Sequence, residues 1–270
     1  MRTLIAAASA ALALSFSTPS SAASKTDCHA HAIRELQRLS PQGHAVYQAM
    51  PDKKQFMQWV MCDDLDLSLT TAVHESVHML TEQKDGYLLI DGSVIRRPKE
   101  LERFMPPRQV SGAFDKSDIF VQTYLRPGAA SSAQDATYLF DELNAYTHDL
   151  NTAVKIASLN KRSNGHAAHR DGLSALMTFV MKYVDAARQQ NNATWQGMQQ
   201  PAPRNVVRTL WSQAETVLAS SCGKPDFGQK DRQYIGFLCS HKNGAGLTEL
   251  LGRAPVCASQ CLPKGTASLE

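Results

Sequence analysis

The stretch His74-Glu75-Ser76-Val77-His78 places the tightest limit on how this chain folds. Two imidazoles four residues apart converge on one point only if the segment is helical, because positions i and i+4 lie one above the other on a single helix face. Glu75 then projects about 100° round the helix from His74, where a base can work beside two ligands without being a third. The flanking residues support a helix over about 66–82: Leu69, Val73, Val77 and Leu80 form an apolar stripe, with Asp66 as the expected N-cap. Both histidines lie roughly 125° from the centre of that stripe. They are therefore expected to face a cleft or a second packing partner, the competing reading being ordinary surface or hydrogen-bonded core histidines.

H-E-x-x-H on a helix is the ligand and base pattern of zinc hydrolases. A catalytic zinc takes three protein ligands and leaves one position for water, so a third ligand has to come from elsewhere in the chain. Glu142 is the best candidate. It lies in a long helical pattern over about 134–159, beside the apolar sector formed by Leu139, Leu143, Tyr146, Leu150, Ala153 and Ala157. A carboxylate there is costly to desolvate, and a metal would compensate it. Ala145 would let this helix approach the first one closely; the plain alternative is a half-exposed glutamate beside Tyr146.

These residues resemble the gluzincin branch of the zincin metallopeptidases, in which H-E-x-x-H is followed on a later helix by a glutamate ligand, often with alanine or another small residue nearby. The resemblance covers 74–78 and 142–146. It implies a predominantly helical, zincin-like α+β domain and one zinc per chain held by His74, His78 and Glu142. It further implies Glu75 as general base and a peptide or protein substrate. Many gluzincins carry an acidic or amide residue four positions after the ligand glutamate, to orient a histidine. Here Tyr146 stands at that position, and Asp149 is the alternative for the role, against the commoner case of a solvated helix aspartate. The metzincin extension of the motif is absent. A donor for the developing oxyanion is also required, and Tyr146 is the first candidate, followed by Tyr124, His148, His166 and His169, each with an ordinary core or surface alternative.

Residues 1–23 read as a secretory signal peptide: Arg2, an apolar run from Leu4 to Leu14, and Ser20-Ser21-Ala22 as a small-residue cleavage site. Residues 24–270 then suit one domain, secreted or periplasmic. The apolar run falls short of the roughly 20 residues a spanning helix needs, and no later run is longer, so no stable membrane insertion is expected. Export gives the six cysteines a disulfide reading. The expected pairs are Cys28 with Cys62, Cys222 with Cys239, and Cys257 with Cys261; a zinc site built from the last four cysteines lacks paired C-x-x-C knuckles. A net charge of +3 is too small and dispersed to imply nucleic acid, and Arg96-Arg97 reads as a solvated strand end. His29-Ala30-His31 has no companion ligands and is taken as incidental.

Elsewhere the pattern predicts two helices over 29–61 broken at Ser40-Pro41-Gln42-Gly43, and a hairpin turning at Asp91-Gly92. A surface loop is expected over 98–117, and a short strand over Ile119 to Leu125 ended by Pro127-Gly128. Further helices are expected over 171–189 and 204–219, with an irregular, disulfide-held tail from about 222. The function these features favour is that of an exported zinc metallopeptidase. The alternatives are a non-catalytic, disulfide-bonded helical binding protein and a zinc amidase acting on cell-wall amides.

Overall fold

Helix-forming sequence dominates the chain. The structure, a computed structural model, describes residues 25–128, 130–159, 168–224 and 227–262, so the expected signal peptide and His166 lie outside the described residues. Within them the order is α1 (Lys25–Leu39), α2 (Pro41–Ala49), α3 (Lys53–Met57), α4 (Leu65–Lys84), β1 (Gly86–Leu88) and β2 (Val94–Arg96). There follow α5 (Ile119–Tyr124), α6 (Ala136–Ile156), α7 (His169–Gln190), α8 (Asn192–Gln199), α9 (Pro201–Ser221), α10 (Asp231–Cys239) and α11 (Ala245–Leu251). β1 and β2 pair antiparallel in a two-stranded sheet. The architecture is the predominantly helical α+β class expected from sequence, and no helix among the described residues is long and apolar enough to cross a membrane.

Local chemistry sets the boundaries. Ser40 caps α2 by accepting the Gly43 N–H at 3.3 Å, with Pro41 in the first turn. The N-terminal region holds three helices, not two, because Asp52 caps the short α3. α4 is capped by Asp64, which accepts the Leu67 N–H at 3.3 Å. Asp66, expected at that position, instead lies buried in the first turn, where its charge favours the positive end of the helix dipole. The hairpin loop is also longer than expected. Leu89 N–H bonds to the Ser93 carbonyl at 2.8 Å and Gly92 N–H to the Leu89 carbonyl at 2.9 Å. Of Asp91 and Gly92 only Gly92 has positive φ, at 86°, whereas a two-residue type I′ turn needs it at both central positions.

Two stretches differ from expectation for a shared reason. Ile119 to Leu125 forms α5 and not a strand, because Asp118 caps it by accepting the N–H groups of Phe120 and Val121 at 2.8 and 3.4 Å. Among the described residues no strand neighbours it to reward its β-branched and aromatic residues. The 98–117 stretch winds through two 3₁₀ turns and buries Leu101, Met105 and Val110, so it is part of the core and not a loop over the surface.

The chain after Cys222 also carries α10 and α11, held by buried polar anchors. Asp171 accepts the backbone N–H groups of Gln229, Lys230 and Asp231 at 2.7–3.0 Å. Arg170 pairs with Asp231 at 2.5 Å and donates to the carbonyls of Ser221 and Lys224. Cys28 is bonded to Cys62 as expected, but the last four cysteines pair as Cys222–Cys261 and Cys239–Cys257. The expected pairs favoured the shortest loops, yet doubling a loop costs only about 0.6 kcal/mol, less than the helix packing that brings these partners together. Non-reducing peptide mapping should recover the three observed pairs. Replacing Cys28 and Cys62 together by serine should cost about 2–4 kcal/mol of stability in denaturant unfolding.

Two apolar clusters meet at α6. One side packs Leu139, Phe140, Leu143 and Leu150 against α7 and α9. Ala145 and Ile156 join the other, formed by Leu69, Val73, Val77 and Leu80 of α4 with α1 and α2. The small side chain of Ala145 thus lies against α4, as its position predicted. The seam between α4 and α6 is where polar residues gather.

Candidate metal centre

α4 and α6 run antiparallel along this seam, so His74 meets Tyr146 while His78 meets Asp141 and Glu142. Three donor atoms converge: His74 Nε2 and His78 Nε2 are 3.1 Å apart, and Glu142 Oε2 lies 3.7 Å from the first and 3.5 Å from the second. Within the described residues, His74, His78 and Glu142 form the one group of donors close enough to hold an ion. A tetrahedral zinc with ligand bonds of about 2.0–2.1 Å has ligand-to-ligand edges of about 3.4 Å, and the observed edges bracket that value. Glu142 Oε2 is buried and has no hydrogen-bond partner, which an ion would supply. The donor set and its spacing fit zinc.

The charges in the seam are tightly coupled. Burial opposes a proton on His78, but Asp141 and Glu142 outweigh it and raise the pKa to about 10. Burial likewise resists charge on Glu142, and the two imidazoles overcome it, lowering the pKa to about 2.

Sequence reasoning missed Asp141. Its Oδ2 lies 2.6 Å from His78 Nδ1, so the ring donates there and turns the Nε2 lone pair toward Glu142. The signal was the adjacency of Asp141 to Glu142: consecutive residues on a facing helix can engage opposite nitrogens of one ring. Asp149 does not serve this role; it accepts from His169 Nδ1 at 2.8 Å. Asp141→Ala should lower zinc affinity about 10–100-fold, measured by competition with a chromophoric chelator.

Glu75 stands outside the three donors. With His74, Tyr124, Tyr146, Asp149 and His169 it lines a cavity of about 430 Å³. The Tyr124 and Tyr146 hydroxyls are 2.7 Å apart, and burial pushes both phenols up, so they stay protonated. Tyr146 packs edge-on against His74 and lies over Gly172, where an added Cβ would fall 2.1 Å from the ring. Of the other expected oxyanion donors, His169 reaches this cavity. His148 does not serve there: it donates to the Leu88 carbonyl at 2.9 Å, and burial lowers its pKa to about 4. Compared with protein-family models, curated proteins and solved structures, the chain matches none.

Proposed function

We propose that this chain is an exported zinc peptidase of the gluzincin type. The observation that carries the reading is the His74–His78–Glu142 cluster, with edges of 3.1–3.7 Å, beside an open cavity that contains Glu75. A zinc ion held by these residues would supply Lewis acidity, polarising a water and the scissile carbonyl. Glu75 removes the proton from the attacking water and returns it to the leaving amine, which needs a carboxylate near the ion but not bound to it. Tyr146, braced by Tyr124, offers its hydroxyl to the developing oxyanion. A structural zinc needs no such base, and this weighs against the binding-protein alternative. Three disulfides among the described residues support export.

The test is metal content together with hydrolysis. About one zinc per chain is expected, with cleavage of a mixed peptide library that stops on chelation and returns with zinc. A protein that cannot be loaded with zinc, or that is loaded and cleaves no amide, removes the reading.

A further inference from the structure

The cavity beside Glu75 has a counterpart at the other end of the cluster. This second cavity, of about 670 Å³, has His78 and Glu142 in its wall. Both draw on the same three parts of the fold. α4 contributes Leu67 and Thr71 to one and Met79 and Glu82 to the other; α6 contributes Tyr146 and Tyr138 respectively. The third part is the stretch from α5 to the 3₁₀ turn Ser131–Ala133, which gives Ile119 and Phe120 at one end and Ser131 and Ser132 at the other. The two cavities share no lining residue; they lie in line along α4 with the three donor atoms between them, and a chain that spans both would run along one groove. From Leu67 to Glu82 α4 rises about 22 Å, the length of about six to seven residues of extended chain.

Apolar side chains make up much of the larger cavity's wall. Met50, Pro51, Met79 and Tyr138 line the larger cavity. Of its acidic groups, Asp141 is held by His78, Glu82 by Arg97 at 2.6 Å, and Glu142 faces the two imidazoles. No lysine or arginine lines either cavity among the described residues. At the other end Leu67 and Ile119 are exposed, 36% and 60%. Methionine side chains adapt to varied apolar shapes, and an unpaired charge entering such a site loses hydration without gaining a partner.

We propose that the substrate is an extended segment of about six residues with large uncharged side chains on both sides of the scissile bond. The largest of these sits in the cavity walled by Met50, Met79 and Tyr138. This makes the chain an endopeptidase for apolar segments and disfavours carboxylate-bearing and sugar-bearing cell-wall amides. The assignment rests on the hydrolase reading, since it names the substrate of that site.

The experiment uses zinc-loaded Glu75→Gln protein, in which cleavage is arrested, and end-blocked peptides of three to eight residues. Affinity, read by calorimetry, should rise with length to about six residues and then level off. Replacing a leucine or phenylalanine beside the scissile bond by aspartate should weaken binding about tenfold or more. Met79→Lys, which gives a substrate aspartate a partner, should remove that preference while zinc content and the unfolding midpoint stay near those of the parent. Wild-type protein is then assayed for cleavage of the same peptides. Cleavage without the length or side-chain preference overturns the assignment and leaves the hydrolase reading standing. Tight binding of the apolar hexapeptide without any cleavage overturns the hydrolase reading, and the substrate assignment with it.

Discussion

Glu75→Gln is expected to hold zinc as the parent protein does and to hydrolyse peptides about 10²–10⁴-fold more slowly, the usual worth of a positioned general base. The expectation follows from where Glu75 stands. It shares a helix turn with His74 yet lines the cavity and is not one of the three converging donors. The amide keeps the size and hydrogen-bonding capacity of the side chain but cannot accept the water's proton, so binding and chemistry should separate. Zinc content and turnover measured on the same purified sample decide the matter. Full activity in this variant would end the hydrolase reading.

Glu142→Ala should lose both metal and activity. It removes one of three donor atoms and the negative charge facing His74 and His78 at 3.7 and 3.5 Å. Its effect on zinc affinity should exceed the roughly 10–100-fold that loss of an outer partner such as Asp141 costs. Zinc retention after dialysis, compared across parent, Asp141→Ala and Glu142→Ala, should fall in that order. Equal retention in Glu142→Ala and the parent would move the third ligand elsewhere; Asp149 and His148 are poor replacements, being bonded to His169 and to the Leu88 carbonyl.

Features fixed by short-range periodicity were legible in the sequence. The stripe Leu69–Val73–Val77–Leu80 forced His74 and His78 onto another face of α4, and all four stripe residues are fully buried. Glu142 could be selected because a carboxylate beside an apolar sector needs a partner. What was not legible depends on which element packs opposite. Asp141 engages His78 because α6 runs antiparallel to α4 at a particular rotation, which no local pattern encodes. Ile119 to Tyr124 looks like a strand until Asp118 caps it as a helix. The pairing of the last four cysteines follows from α10 and α11, whose anchors, Asp171 and Asp185, lie some sixty positions earlier in the chain. Cysteine spacing carries no trace of those contacts.

The first turn of α7 ties together regions far apart in the chain. His169 reaches Asp149 in the cavity wall, while the next two residues, Arg170 and Asp171, hold the stretch between Ser221 and Asp231. Successive side chains leave a helix about 100° apart, so this single turn works as a bracket with arms on both sides. Trimming the protein after Cys222 would take Asp231 and the Lys224 carbonyl from Arg170 and all three backbone donors from Asp171, in the same turn that supports the groove, and breaking a buried pair by removing one partner costs about 3–5 kcal/mol. The far end of the chain is thus part of the groove's foundation, and a shortened version meant to keep the groove has to run through Cys261.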